Sequence, residues 1–376
     1  MKAHLWPSHD GDAWAARLEA DSWSGDLFFE RIGEPLPAMG RADALLIASL
    51  HAFMTRNAEV VQVHGAVSRT LLRNLDELQH VWSKWLPRVY RRVTIEVEEV
   101  VDDGPTGEGA VSAFSGGIDA SFTVYRHTVA PAAWHTLPLR EVVMIQGYDI
   151  GLDETPVFER AVARAEKMTA EAGLQLSKVR TNIRGIAPRW NDTFGLGVAA
   201  ALQLFADRRS TGLIASGGGY AALVFPNGSS PLHDWMTSSG SMAIRHDGAG
   251  YTRTQKLAEL SAWPAAVNAV RVCYRGAEHD RNCGHCEKCV RTLLNFKLVG
   301  IDNPGCFDNT LDLADIRKVY FANAPMAGEW QALVIEAERR GIAGEWVDEV
   351  KRLIRKEKYK ATALGRVVSR ANRLRR

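Results

Sequence analysis

Residues 110–121 read Ala-Val-Ser-Ala-Phe-Ser-Gly-Gly-Ile-Asp-Ala-Ser, and this stretch decides the fold. Its apolar start is typical of a buried strand, and a helix is expected over 121–127. A glycine turn between a strand and a helix lets backbone amides and the positive end of the helix dipole surround an anion. The stretch therefore predicts a phosphate site, with hydroxyl donors from Ser115 and Ser121.

Asp119 is the one group in this loop that a bare phosphate would repel. Two explanations fit its position: it lies beside a metal ion, or it caps the turn. An ordinary Ser-Gly-Gly turn is the structural alternative. The chain contains no Gly-x4-Gly-Lys-Ser/Thr, so a Walker-type NTPase is not supported.

The string Ser-Gly-Gly-x-Asp-x-Ser resembles the PP-loop of the N-type ATP pyrophosphatases. Members of that family cleave ATP between the α and β phosphates and adenylate an oxygen, usually on a carboxylate or carbonyl. The usual pattern has a second serine where this chain has Ala120; either Ser121 replaces that hydroxyl or the site is weakened. The resemblance implies a set of residues that bind ATP and Mg²⁺: Ser115, Gly116, Gly117, Ile118, Asp119 and Ser121.

Four of the five cysteines lie within seventeen residues, in the pattern Cys273-x9-Cys283-x2-Cys286-x2-Cys289. Tetrahedral zinc prefers four soft ligands, and a Cys-x2-Cys knuckle directs two thiolates at one ion. Gly284 would relieve the tight turn of the first knuckle. The spacing predicts a Zn²⁺ site formed by these four cysteines, with Cys306 free.

Three alternatives to four thiolates on zinc stay open. His279 or His285 could replace one thiolate, the cysteines could pair as disulfides, or they could hold an iron–sulfur cluster. Disulfides are disfavoured because we expect an intracellular chain, in which thiols stay reduced. A zinc ion with four protein ligands has no open coordination position, so the expected role is structural.

The PP-loop followed by this cysteine segment resembles the 7-cyano-7-deazaguanine synthase family, over about residues 106–300. The second part of the likeness lies in 272–276, Val-Cys-Tyr-Arg-Gly, and in 283–291, Cys-Gly-His-Cys-Glu-Lys-Cys-Val-Arg. It implies ATP-dependent conversion of 7-carboxy-7-deazaguanine, through an adenylate, to an amide and then a nitrile. Similar proteins in anti-phage systems suggest a protein or peptide amine as an alternative acceptor to ammonia.

Two segments depart from that family. Its substrate-reading stretch contains an Asp and ends Tyr-Pro-Asp-Cys-Arg, whereas 220–228 here read Tyr-Ala-Ala-Leu-Val-Phe-Pro-Asn-Gly. The stretch after the second strand, 146–149, also differs and reads Gln-Gly-Tyr-Asp. The acid or the second substrate can therefore differ while the chemistry is shared. Asn227 and Asp234 are candidates to read the edge of the base instead.

Predicted strands and helices alternate from residue 110 onward. Strands are expected at 110–114, 142–145, 177–182 and 211–215, and helices at 121–127, 157–172 (ended by Gly173) and 192–208. This alternation predicts an α/β fold with a parallel sheet covered on both faces. The resemblance implies that the sheet is of the adenine-nucleotide α-hydrolase-like (HUP) type.

Ligands of such sheets bind at the carboxyl ends of the strands. The loops 115–121, 146–149 and 216–220 are therefore expected to converge on one crevice. Gly147, Ser216 and Gly217 are the predicted nucleotide contacts outside the first loop. A flexible turn is the structural alternative for the glycine-rich third loop.

Arg253 and Lys256 begin a predicted helix and are three residues apart, so they share one face. A basic residue in the matching segment of PP-loop enzymes commonly contacts phosphate. We therefore expect Arg253 to bind the nucleotide and Lys256 to act in catalysis with Ser115, Asp119 and Ser121, while a solvated helix face is the alternative.

The chain is expected to divide into three parts. An N-terminal α+β accessory domain covers 1–105, with strands at 15–20, 26–30 and 93–98 and helices at 43–54 and 68–85, and the turn-rich stretch 102–107 ends it. The PP-loop domain with its zinc knuckle covers 106–300. A helical region with a basic tail covers 301–376, helical over 310–362, with Trp330, Leu333, Val334 and Ile335 as apolar positions.

Composition narrows the class of protein. The chain has 376 residues, 46% of them apolar, and a net charge of +2. Residues 351–376 alone carry +10, so the rest carries −8; this end is either a solvated helix and tail or a dock for nucleic acid or an acidic protein. No run of eighteen apolar residues occurs and the start lacks an apolar leader, so we expect a cytoplasmic protein with no membrane contact.

The sequence thus predicts an ATP-, Mg²⁺- and Zn²⁺-dependent enzyme that adenylates a planar heterocyclic carboxylate and releases pyrophosphate. Ammonia or a protein or peptide amine then attacks, and we expect a homodimer. One alternative is an RNA-modifying PP-loop enzyme, favoured by the basic end and the knuckle but not by any interleaving of aromatic and basic residues. The other is a decayed nucleotide-binding protein, suggested by Ala120.

Overall fold

A computed structural model describes residues 2–102, 104–131, 134–273, 275–276, 278–322 and 324–357. The chain divides into two compact units, Met1–Tyr251 and Thr252–Arg376. The predicted boundary near residue 105 falls inside the first unit and the boundary near 300 inside the second. The three-domain division stays a prediction.

The N-terminal half of the first unit alternates antiparallel and parallel strands with two helices. Its elements are β1 (Lys2–His9), β2 (Ala13–Ala20), β3 (Trp23–Arg31), α1 (Asp43–Met54), β4 (Val60–Ser68), α2 (Arg69–Trp85) and β5 (Thr94–Val101). The predicted α1 is confirmed, and the predicted α2 is confirmed with Ser68 as its cap, since the Ser68 side chain accepts a hydrogen bond from the Leu71 amide. Strands β1 and β4 were not predicted.

The second half of this unit has the predicted alternation of strands and helices. Its elements are β6 (Ala110–Ala113), α3 (Ile118–His127), β7 (Leu139–Gln146), α4 (Thr155–Glu171), β8 (Gln175–Thr181), α5 (Ile183–Ile186), α6 (Trp190–Gln203), β9 (Thr211–Ala215) and β10 (Ala243–Asp247). Helix α3 begins three residues before the predicted start, and α6 ends five residues before the predicted end. Gly173 follows α4 with φ +69°, the left-handed conformation that the prediction required.

All ten strands form one sheet, in the order β10-β9-β6-β7-β8-β3-β2-β1-β4-β5. Strands β10 to β8 are mutually parallel, and β3 joins them by antiparallel pairing with β8, for example Phe29 opposite Thr181. The predicted α/β class with a large, mostly parallel sheet is confirmed. The N-terminal region therefore shares its sheet with the predicted nucleotide half.

A partly buried ionic cluster reinforces the join between the two halves. The Arg208 guanidinium donates to Glu34, which follows β3, and to Glu141 on β7, both at 2.6 Å. Arg209 also donates to the fully buried Glu141, at 3.1 Å. Two guanidinium groups offset the cost of burying that carboxylate.

The main core lies between the sheet and helices α1, α2 and α6. Every residue of α1 is buried, which explains why that helix is mostly apolar and has no polar stripe. Helix α6 packs on α1 and carries Gly195 and Gly197, where an added Cβ would lie 2.1 Å from the Gly228 carbonyl oxygen and 2.9 Å from the Tyr148 hydroxyl, respectively.

The second unit is helical in its described part. Its elements are α7 (Arg253–Leu260), α8 (Pro264–Ala269), α9 (Glu287–Leu298), α10 (Leu313–Lys318), α11 (Ala324–Arg339) and a last helix whose described part is 345–357. The expectation of helix throughout 310–362 was wrong: breaks separate three helices, and 358–362 lie outside the described residues. Of the apolar positions named from the sequence, Trp330 and Leu333 are buried, whereas Ile335 is 65% exposed.

Among the described helices, none is both long enough and apolar enough to cross a lipid bilayer.

Candidate nucleotide site and metal centre

The loop between β6 and α3 has the backbone that an anion site requires. Gly116 has φ +73°, a conformation that side chains with a Cβ rarely adopt. Gly117 is extended, with ψ 167°, and is the N-cap of α3, so the helix starts without a capping side chain from that residue. The Gly117 amide donates to the Ser115 hydroxyl at 3.3 Å, and the Ser115 side chain is exposed. The first-turn amides of α3 are thus the donors that an anion would meet.

Ser121 is the most informative side chain of this loop. It is fully buried, and its hydroxyl has no hydrogen-bond partner within the described part of the chain. A buried hydroxyl without a partner costs stability, and such groups often mark a site that a ligand or ion completes. The neighbouring Ala120 is also buried, at 5% exposure, so a serine there would have its hydroxyl inside the protein.

Helix α3 is anchored at its other end by Asp247, which closes β10. The Asp247 carboxylate accepts hydrogen bonds from Thr123 at 2.8 Å and from His127 Nε2 at 3.3 Å, and Arg126 lies 3.4 Å away. Burial raises the pKa of Asp247, but the His127 hydrogen bond and the Arg126 charge outweigh it and hold that pKa below its usual value. Sequence reasoning missed this anchor, although residues 123, 126 and 127 share one helix face.

The loop after β7 is held tightly against β8. Gly147 has φ +100°, and an added Cβ would lie 1.9 Å from the Thr181 carbonyl oxygen. Gln146 is buried and its amide donates to the Gly151 carbonyl at 3.0 Å. The left-handed φ of Gly147 and its close approach to Thr181 therefore explain why this position requires glycine. The predicted contact of Gly147 with nucleotide stays a prediction.

The loop after β9 is open on one side. The Ser216 amide donates to the Asp247 carbonyl oxygen at 2.7 Å, and its hydroxyl donates to the Gly218 carbonyl within the loop. Gly217 is exposed, and a Cβ added there would meet no atom within 4 Å. The loops after β6, β7 and β9 all leave the same edge of the parallel sheet, as the sequence predicted for strands of one direction.

The segment that follows, 220–235, exposes several apolar side chains and is held in place by a buried carboxylate. Tyr220, Leu232 and Trp235 are exposed by 64%, 52% and 48%. Asp234 is buried and accepts from the Ser229 hydroxyl at 2.7 Å, from the Ser230 amide at 3.0 Å and from His246 at 2.7 Å. Asp234 therefore organises this segment, and its suggested contact with a base edge stays a prediction.

Arg253 and Lys256 belong to the second unit, at the start of α7. Arg253 donates to Glu329 at 3.0 Å, and Arg291 shares the same carboxylate oxygen at 2.7 Å. The Lys256 side chain is almost fully buried. Neither residue belongs to a solvated helix face, and their roles toward phosphate stay predictions.

The four clustered cysteines form a candidate metal centre in the second unit. The sulfur atoms of Cys273, Cys283, Cys286 and Cys289 all lie within 4.8 Å of one another, and none of the chain's five cysteines is in a disulfide. Two sulfur pairs are 3.8 Å apart. Zn–S bonds of about 2.3 Å at a tetrahedral angle separate the sulfurs by about 3.8 Å. The geometry fits one tetrahedral ion such as zinc.

The backbone around the cysteines supports a thiolate cluster. The amides of Arg275 and Cys286 donate to the sulfurs of Cys273 and Cys283 at 3.5 and 3.4 Å. Gly284 has φ +80°, and an added Cβ would lie 1.8 Å from the Asn309 side chain, so the predicted relief of this knuckle by glycine is confirmed.

Two further side chains shape this centre. Asn282 accepts from the Val272 amide at 2.8 Å and donates to the Val270 and Cys306 carbonyls, both at 2.9 Å. Sequence reasoning missed Asn282, which no spacing rule identifies. His285 is exposed and pairs with Asp315 at 2.6 Å, so it is not a fourth ligand.

The clustered thiols differ in the direction in which their pKa values are shifted. Hydrogen bonds from Cys286 and then Cys289 lower the pKa of Cys273, whereas the bond to Cys273 raises the pKa of Cys289. Cys306 lies apart from the cluster, and burial raises its pKa to about 12. Within the cluster, Cys273 has the lowered pKa, and those of Cys286 and Cys289 are raised.

The structure brings the predicted loop residues of the first unit to one sheet edge and the four cysteines to one point in the second unit. A comparison of the chain with protein-family models, curated proteins and solved structures gave no match.

Proposed function

We propose that the first unit binds ATP at the loop 115–121 and transfers its AMP group to a carboxylate. The observation that carries the proposal is the buried Ser121 hydroxyl without a described partner, in the first turn of a helix whose N-cap is Gly117. Amides at a helix start and a glycine in the left-handed conformation suit a polyphosphate. Asp119, in the same turn, suits Mg²⁺, which binds through carboxylates and substrate phosphates.

The proposed reaction uses three reactants: ATP, the carboxylic acid and an amine. A carboxylate oxygen of the acid attacks the α-phosphorus of ATP, the bond to the bridging oxygen breaks, and pyrophosphate leaves. The amine nitrogen then attacks the activated carboxyl carbon, loses a proton and expels AMP, which carries away the carboxylate oxygen. Helix dipoles, amides and Mg²⁺ stabilise the charge that builds on the leaving pyrophosphate.

The acid is proposed to be a planar heterocyclic carboxylate of the 7-carboxy-7-deazaguanine type. The joint occurrence of the glycine loop and the four-cysteine segment supports this choice. Calorimetry with 7-carboxy-7-deazaguanine, in the presence and absence of a non-hydrolysable ATP analogue, tests it. Binding that the analogue strengthens is expected. If no heat appears while another acid stimulates AMP release, the chain shares only the adenylation chemistry.

The Ser121 hydroxyl provides a sharp test of nucleotide binding. Since it makes no described hydrogen bond, Ser121→Ala is expected to leave the free energy of unfolding unchanged or slightly higher. A hydrogen bond to a charged group contributes about 1.5–3 kcal/mol, so ATP affinity should fall about tenfold or more. Calorimetry with ATP and chemical denaturation give the two readouts.

Ser112→Ala is the matched control for that variant. Ser112 is also fully buried, but its hydroxyl donates to the Ala113 carbonyl oxygen at 3.2 Å within β6. Its loss should lower stability and leave ATP affinity intact. Wild-type ATP affinity in Ser121→Ala, or no ATP binding by the unmutated protein, would contradict the proposal.

A further inference from the structure

The outer face of the N-terminal half of the sheet carries a cluster of rings and a carboxylate. Leu5 on β1 is buried in the core that contains α1, so the alternate residues His4 and Trp6 point to the opposite face. His64 on β4 joins them there, and its ring is nearly parallel to that of Trp6, with centroids 5.1 Å apart. All three residues are half-buried.

The two histidines present nitrogen atoms to each other. His4 Nδ1 and His64 Nε2 are 3.1 Å apart. Two imidazole nitrogens bound to one ion at about 2.0–2.1 Å would be about 2.9 Å apart at a right angle and about 3.4 Å apart at a tetrahedral angle. The observed separation lies between these values, so both nitrogens can reach a single ion with small side-chain rotations.

The other nitrogen of His64 is already held by a carboxylate. His64 Nδ1 lies 3.0 Å from Glu98 Oε1, across from β4 on strand β5. A proton on Nδ1 that is donated to Glu98 leaves Nε2 with its lone pair directed at the His4 nitrogen. Carboxylate–histidine pairs of this kind orient histidines that bind metals and make them more basic.

The surrounding charge also favours a cation. Strand β5 reads Thr-Ile-Glu-Val-Glu-Glu-Val-Val, with three glutamates and no basic residue. Lys2 pairs with one of them, Glu96, at 3.1 Å, which leaves the local balance negative. Nucleic acid would be repelled by the same charges, although stacked rings on an open sheet otherwise suit it.

We propose that His4 and His64 form a binding site for a divalent transition-metal ion, distinct from the cysteine cluster. Imidazole ligands select ions such as Ni²⁺, Cu²⁺ and Zn²⁺ over Mg²⁺ and Ca²⁺, which prefer oxygen. Glu98 acts as the positioning residue through His64, and water completes the coordination. The site lies on a half of the sheet that takes no part in the proposed adenylation.

Calorimetric titration of the untagged full-length protein with Ni²⁺, after its zinc content has been measured, tests the proposal. One Ni²⁺ per chain is expected, and His4→Ala and His64→Ala should each lower the affinity at least tenfold. Glu98→Gln should weaken binding about tenfold while keeping the stoichiometry, because it alters only the support of His64.

His9→Ala is the matched control, since His9 ends the same strand and is exposed. Its affinity for Ni²⁺ should equal that of the unmutated protein, and thermal unfolding of each variant checks that the fold is kept. The proposal is overturned if no Ni²⁺ binds, if both histidine variants bind it unchanged, or if His9→Ala lowers the affinity as much as they do.

Discussion

At the scale of single residues, Gly147, directly after β7, is a position that does not tolerate a side chain. Its φ of +100° and the 1.9 Å approach to the Thr181 oxygen leave no room for a side chain. Gly147→Ala should therefore lower the free energy of unfolding by about 3 kcal/mol or more, from left-handed strain plus overpacking. Denaturation with urea measures the change.

Gly217→Ala is the control for this prediction, because an added Cβ meets no atom within 4 Å and φ is not in the left-handed region. Its effect on stability should stay within about 0.5 kcal/mol. Equal stability of the Gly147 and Gly217 variants would show that the loop after β7 does not approach β8 as described.

His51 gives the first unit a dependence on pH. It is fully buried on α1, where burial and then the nearby His233 lower its pKa to about 3. The unfolded chain binds a proton at His51 below about pH 6.5, whereas the folded chain does not until about pH 3. The folded state therefore loses stability as pH falls through this window, by up to about 1.4 kcal/mol per pH unit for this residue.

His51→Phe, which keeps an aromatic ring beside Trp82, isolates that contribution. Chemical denaturation between pH 7 and pH 5 should show a smaller loss of stability on acidification in the variant than in the unmutated protein. An identical slope for both proteins would mean that His51 is not kept neutral by its burial.

At the scale of elements, the cysteine knuckle is the part of the second unit whose folding depends most on a ligand. We expect one zinc per chain by elemental analysis. Because the binding energy of structural zinc is folding energy, Cys286→Ser should lower stability by several kcal/mol and release the ion. Cys306→Ser should retain it, since Cys306 lies outside the cluster. Iron in place of zinc, or no metal at all, would contradict the assignment.

The helices and strands differ in how well the sequence predicts them. Helix α1 is predicted residue for residue because it is mostly apolar, and α2 is predicted to within one residue because its apolar positions follow the helical period. Strand β10, Ala-Ile-Arg-His-Asp, was missed because its polar residues are satisfied by distant partners, such as Asp247 by Thr123 and His127. Local patterns cannot contain such long-range contacts.

The features of the candidate site also divide into those that the local sequence predicts and those that depend on long-range contacts. The glycine loop and the cysteine spacing are local, so the sequence predicts both sets of residues. The anchoring of α3 by Asp247 joins groups about 120 residues apart, which only the folded sheet brings together. The basic tail over 358–376 lies outside the described residues, so its predicted docking role stays a prediction.

At the scale of the whole molecule, the ten-stranded sheet makes the N-terminal half part of the same unit as the proposed ATP site. The predicted accessory domain thus contributes helices α1 and α2 to the core on which α6 packs. The strands of the two halves are hydrogen-bonded into this one sheet, through the pairing of β3 with β8.

The exchange of radiolabelled pyrophosphate into ATP, driven by a carboxylate substrate, tests the central claim most directly. We expect exchange that requires the acid and Mg²⁺, and that falls about 100-fold or more in Asp119→Ala and Asp119→Asn, since each removes the charge that would hold the ion. Glu77→Ala, at an exposed position on α2, should retain full exchange. Exchange at the unmutated rate in both Asp119 variants, or ATP consumption that yields ADP and phosphate, would contradict adenylation at this loop.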